Sequence, residues 1–282
     1  MRHRTGLFKG ETNTLIFTQH WFPNHGSKPH ANIVIIHGIG EHSDRYEHVA
    51  AHFVQHGYGV CALDHRGHGR SEGARVIVAD FEDYYVADLR TYVDEIQTVF
   101  PDTPLFLYGH SMGSLIALLF AFRYQDELAG VITTGIALKP VLSNAVTVPI
   151  LKTASSLIPG ARLIPLDANG LSRDPEVCRA YQADPLVYHG RIPLVTLAAL
   201  QEAADLCLKR LPNLHIPLLA MHGSDDALTL VKGAQLVLER SGAPDTMVKI
   251  YDGLYHEIHN EPEQDQVLAD MIEWLDKHST PG

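Results

Sequence analysis

Residues 32–37 (NIVIIH) are apolar at four consecutive positions, Ile33 to Ile36, instead of at every second one. A strand of that kind has to be covered on both faces, the condition of a parallel strand in a sheet wrapped by helices. Similar short runs recur at 59–63 (GVCAL), 104–108 (PLFLY), 129–133 (AGVIT), 216–221 (IPLLAM) and 247–251 (MVKIY). Between them lie helical patterns at 46–55, 80–98, 111–124, 231–240 and 264–277. In the second of these, Val86, Leu89, Val93 and Ile96 share one helical face. Residues 14–19 (TLIFTQ) read as an earlier strand, forming a hairpin with 6–9. The expected fold class is α/β, a mostly parallel central sheet flanked by helices.

The alternation stops between 138 and 211, which carries helical patches and scattered prolines but no run that reads as a strand. A chain of 282 residues, 45% of them hydrophobic, can hold one large core plus an insertion. The expected organisation is a core of 1–137 and 212–282 with an inserted helical cap at 138–211. The stretch 138–158 has Lys139 and Lys152 as its only charges, and Pro140 and Pro149 divide it, so it should not span a bilayer. Its apolar face either opens to lipid as a lid or packs on the core, and both readings stand at this point.

Lys and Arg number 22 against 33 Asp and Glu, a formal charge of −11. With no basic stripe, nucleic acid is not an expected partner, and any membrane contact would have to be hydrophobic and transient. Cys61, Cys178 and Cys207 are far apart, which fits a reducing compartment better than a disulfide framework. No apolar signal segment opens the chain. The expectation is a cytoplasmic protein, peripheral at membranes if its cap touches them; nothing in the sequence specifies an oligomeric state.

Gly109-His110-Ser111-Met112-Gly113 falls between the strand at 104–108 and the helix at 111–124. G-x-S-x-G in that place reads as a nucleophile elbow. Its glycines permit a cramped turn that lifts the serine oxygen off the sheet, and the new helix aims its first amides at the reaction centre. A serine hydroxyl needs a base to take its proton, and the base needs an acid to orient it. In such a fold the three follow in the order Ser, Asp, His, each just past a strand. His222-Gly223-Ser224-Asp225-Asp226 follows 216–221, and Tyr255-His256-Glu257-Ile258-His259 follows 247–251. Position alone does not choose between Asp225 and Asp226. His256, nearer its strand, is favoured as the base, while His259 either lines the site or sits at the surface.

His37-Gly38-Ile39-Gly40 ends the first buried strand, where this fold places a second oxyanion donor. The donors would be the amides of Ile39 and Met112. His37 with His42, and His65 with His68, lack the H-E-x-x-H spacing and the third carboxylate of a metal site. No glycine-rich phosphate loop is present, so neither metal nor cofactor is expected.

Taken together, HGIGEHSDRY (37–46), DHRGHGRSEG (64–73), GHSMGS (109–114), SRDPEVCRAYQADPL (172–186), HGSDD (222–226) and YHEIHNE (255–261) resemble the monoacylglycerol lipase/lysophospholipase family. The similarity spans nearly the whole chain and is weakest at 138–164. It implies Ser111, Asp226 and His256 as the catalytic triad, with Ile39 and Met112 as the oxyanion hole. It also implies Glu41, Arg45, His110 and His259 as a polar pocket for a glycerol head group. The implied activity is hydrolysis of a fatty-acyl ester, monoacylglycerol first, through an acyl-enzyme. A lysophospholipid, short-chain ester or thioester is the alternative substrate, and a non-catalytic binding protein is the alternative of a different class.

Overall fold

A computed structural model describes residues 1–24, 28–139, 157–158 and 161–279. The strands in chain order are β1 (Arg2–Lys9), β2 (Leu15–Phe22), β3 (Asn32–Ile36), β4 (Gly59–Leu63), β5 (Leu105–His110), β6 (Gly130–Thr134), β7 (Arg162–Pro165), β8 (Arg191–Pro193), β9 (Leu218–Gly223) and β10 (Thr246–Tyr251). Eight of them form one sheet in the order β1-β2-β4-β3-β5-β6-β9-β10. The β1–β2 hairpin joins it antiparallel through β4, and every later pairing is parallel.

The unbroken apolar runs have the cause expected of them. Along β3, Val34 and Ile36 enter the core on one face of the sheet, and Ile33 and Ile35 enter the core on the other. The first core is closed by α2 (Ala87–Val99), α3 (Met112–Tyr124), α5 (Leu194–Arg210) and α6 (Lys232–Arg240); the second by α1 (Glu47–Gln55) and α7 (Gln264–Ser279). Each fully buried aliphatic side chain contributes about 1.5–3 kcal/mol. In α3 every residue from Met112 to Ala121 is buried. That explains a helix with no polar face, since it lies between the sheet and α5.

Two expectations are corrected. The segment 138–211, expected to carry helical patches and no strand, contains an antiparallel pair, β7 with β8, beside helices α4 (Pro175–Ala183) and α5. These strands have four and three residues, are interrupted by a register shift, and each ends on a proline, so they carry no alternation to read. The helix expected from residue 80 begins with a wide turn, Phe81–Val86, capped by the Asp80 carboxylate on the Asp83 amide, and becomes regular only at Ala87. Most of the 138–158 stretch lies outside the described residues. Among the described residues no helix is long and apolar enough to cross a membrane. All three cysteines are buried and unpaired.

Candidate active site

The loops leaving β3, β5, β9 and β10 converge at the carboxyl ends of the parallel strands, the usual ligand edge of such a sheet. Ser111 sits at the turn from β5 into α3 with φ 52° and ψ −118°. This is a conformation that side-chain-bearing residues rarely hold without support. Support comes from packing: a Cβ on Gly113 would lie 1.9 Å from the Ile36 carbonyl, and one on Gly109 2.4 Å from the Gly113 carbonyl. Only glycine lets the strand and helix approach this closely. The Ser111 amide donates to the Thr134 carbonyl at 2.9 Å, which fixes the turn against β6.

Between the adjacent aspartates, it is Asp226 whose side chain meets His256. The His256 Nδ1 lies 2.7 Å from Asp226 Oδ2. A carboxylate only accepts, so Nδ1 carries the proton and Nε2 is left as the basic nitrogen. The other carboxylate oxygen accepts from the amides of Leu228 and Thr229 at 2.8 and 2.9 Å. The Thr229 hydroxyl is 2.9 Å from Oδ2. Burial works against ionising Asp226, but the charge of His256 and the imidazole hydrogen bonds outweigh it and hold the carboxyl far below its usual range. For His256 burial favours the neutral ring, yet Asp226 prevails and raises it above its ordinary 6.5. Asp225, by contrast, turns to the Ser224 hydroxyl.

Ser111 and His256 open on one cavity of about 430 Å³, within the ~300–1,000 Å³ of small-molecule sites. Ile39 and Met112 line it too. Met112 is the first residue of α3, so its amide has no intrahelical acceptor. The Ile39 amide has no acceptor among the described residues. Away from the serine the walls are apolar: Ile164 and Leu166 at β7, Ile192 in β8, and Leu197 and Leu200 in α5.

Glu41 and His110 line the polar end of this cavity; Arg45 and His259 stand behind them. Glu41 takes the Gly38 amide at 2.6 Å and the Tyr46 hydroxyl at 2.8 Å on one oxygen, and Arg45 at 2.6 Å on the other. Burial lifts the Glu41 carboxyl above its usual range despite Arg45, and the charge on Glu257 adds to that. Burial opposes ionisation of Glu257 as well, but there the forked contact with Arg45 wins and the carboxyl is held well below its usual range. His110 bonds Thr134 Oγ1 through Nδ1 at 3.0 Å. Burial, with His256 and His259 close by, pushes it well below 6.5. His259 is wholly buried, stacked on Tyr46 at 5.1 Å and set edge-on to His110 at 4.9 Å, with no partner for either ring nitrogen among the described residues. Burial takes it down to about 3.

Several functional neighbours carry weaker signals. Glu257 follows His256 directly, and Thr229 comes three residues after Asp226. Tyr181 of α4 lies under the Arg45 guanidinium at 4.8 Å. Of these, only Thr229 could have been sought from sequence, as a hydroxyl within one turn of Asp226. Among the described residues no group of three His, Cys, Asp or Glu side chains converges to hold a metal.

The family described as "Serine aminopeptidase, S33" matches residues 27–263. A monoacylglycerol lipase of Mycolicibacterium smegmatis is 40% identical over 272 residues, covering 96% of each chain. The monoglyceride lipase of Homo sapiens is 35% identical over 268 residues, 94% of this chain and 88% of that one. The crystal structure of a monoacylglycerol lipase from Paleococcus ferrophilus superposes with a TM-score of 0.78 at 28% identity, covering 99% of this chain and 100% of that one. With a strand order, a strained elbow serine and relatives of this identity over almost its full length, the chain belongs to the monoacylglycerol lipase family of α/β-hydrolases.

Proposed function

We propose that the protein is a serine esterase that cleaves fatty-acyl monoglycerides to glycerol and a fatty acid. The observation that carries this reading is the Asp226–His256 hydrogen bond of 2.7 Å in a cavity that also holds Ser111 and is apolar beyond it. His256 Nε2 takes the Ser111 proton as the hydroxyl oxygen attacks the ester carbonyl. The Ile39 and Met112 amides, with the positive end of α3, hold the oxyanion. Collapse releases the alcohol with the proton from His256, and water repeats the two steps on the acyl-enzyme. The acyl chain runs between α5 and the β7–β8 pair, and the head group lies at Glu41 and His110, with Arg45 and His259 behind.

A peptidase that reads a free amino terminus needs a carboxylate left open for the ammonium. Glu41 and Glu257 are the carboxylates lining the cavity, and donors occupy both oxygens of each. That favours a neutral ester over a charged amine. In this reading 138–211 acts as the cap. Leu157, Ile158 and Leu163, exposed at 75%, 57% and 50%, supply a transient hydrophobic contact with the lipid surface.

The test is hydrolysis of monoacylglycerols of increasing chain length, beside a matched lysophospholipid and a short p-nitrophenyl ester. Cleavage of the long monoacylglycerols that disappears in Ser111→Ala is the expected result. Turnover of the short ester alone would make this a general esterase, and undiminished turnover in Ser111→Ala would end the triad reading.

A further inference from the structure

Asp226 meets two imidazoles. Besides His256, the ring of His222 approaches it, with Nε2 3.1 Å from Asp226 Oδ2 and 3.0 Å from the Thr229 carbonyl. The Thr229 carbonyl only accepts, so Nε2 carries the proton and donates it there, with Asp226 Oδ2 in close polar contact beside the same N–H. His222 is the fifth residue of β9, paired with Ile250 of β10 and wholly buried. Its Nδ1 has no partner among the described residues. The ring is therefore oriented by its Nε2 side alone.

The loop 223–229 closes on itself around this contact. Thr229 N and Leu228 N fix Asp226 Oδ1, leaving Oδ2 to be fixed by side chains. The Thr229 hydroxyl has one proton and two acceptors in reach, Asp226 Oδ2 at 2.9 Å and the Gly135 carbonyl at 3.1 Å. It is a divided donor, and His222 is the second side chain able to hold Oδ2 in place.

We propose that His222 is a positioning residue for the reaction: its Nε2–H, resting on Asp226 Oδ2, keeps that oxygen facing His256 Nδ1. This deepens the triad reading and rests on it. The N–H dipole, 3.1 Å from Oδ2, also stabilises the carboxylate charge, which moderates the pull of Asp226 on the His256 proton. The other titratable groups around His256 are His110 at the end of β5, Glu41 after β3, and Glu257 and His259 on its own loop. None of these is a hydrogen-bond partner of His222.

Two substitutions separate positioning from packing. His222→Gln keeps an N–H donor about where Nε2 lies, whereas His222→Asn keeps polarity but ends near Nδ1, short of Asp226. With the proposed function in place, Asn lowers kcat about threefold, the value of a contact weaker than a hydrogen bond to a charged group, and leaves KM unchanged. It also moves the acidic limb of the kcat/KM profile to higher pH, because Asp226 then holds the His256 proton more strongly. Gln restores both. Wild-type kcat and pH profile in Asn overturn the proposal. So does a Gln variant that falls as far as Asn while melting with the wild type.

A measurement on the unaltered protein stands beside these, should Asn fail to fold. The nitrogen-15 shifts of His222 must report the Nε2–H tautomer, and an Nδ1–H tautomer overturns the assignment. Asp226→Asn, assayed in parallel, distinguishes the two levels of failure. Full turnover there removes the triad reading itself, whereas an indifferent His222 with an inactive Asp226→Asn removes this inference alone.

Discussion

The guanidinium of Arg45 holds both carboxylate oxygens of Glu257 at 2.7 Å, across 212 residues of sequence. The same group reaches Glu41 and covers the ring of Tyr181, so one side chain joins the loop after β3, the loop after β10 and α4. With side-chain exposures of 10% and 2%, this is a buried ion pair. Arg45→Met should therefore cost about 3–5 kcal/mol, because it strands two carboxylates in a dry site. Chemical denaturation reads the loss directly; a change under about 1 kcal/mol, the range of exposed pairs, would show that water reaches them.

Stability should fall on mild acidification. Burial takes His37, His68 and His259 down to about 3, and His65 and His110 well below 6.5. Each stays neutral in the fold while the unfolded chain protonates near 6.5. Their contribution is therefore intact above that pH and drains as pH falls toward about 3. The depressed carboxyls of Asp226 and Glu257 add losses of the same sign at lower pH. Melting temperatures between pH 8 and 4 test this, and a flat profile would contradict it.

His256 behaves oppositely, and the assay can separate the two. Its folded value is raised, so its own stabilising term is complete below 6.5 and is lost as pH rises from there through the raised folded value. Catalysis needs the neutral ring, so kcat/KM should climb over the same interval, with an acidic midpoint above 6.5. A midpoint below 6 would place another group in control.

Acyl-chain selectivity should reside in α5. Leu200 lines the apolar part of the cavity. Leu200→Trp narrows it and should lower kcat/KM for long-chain monoacylglycerols about tenfold or more while sparing a short p-nitrophenyl ester. Equal losses for both would place the chain elsewhere.

Local features of this fold are legible in the sequence. Five of the six runs mark parallel strands buried on two faces, while the sixth, 247–251, is the edge strand β10 with Met247 and Ile250 exposed; the elbow at Ser111 is visible because its glycines adjoin it. What needs the third dimension is pairing. Adjacent side chains such as Asp225 and Asp226 diverge, and spacing does not say which one faces an imidazole 30 residues on. The link from Arg45 to Glu257 and the contact of His222 with Asp226 leave no periodic trace. The β7–β8 pair escapes for a simpler reason: strands this short hold too few residues to show a period.

The strand order has a consequence for synthesis. Ser111 and Ile39 belong to the first half of the chain, while Asp226 and His256 arrive with β9 and β10, the last strands added at the sheet edge. A chain still on the ribosome can display the serine and the oxyanion loop, yet it has no base to activate them. On the proposed triad, hydrolytic power is thus withheld until His256 has been made, and a fragment cut short before it carries an inert hydroxyl.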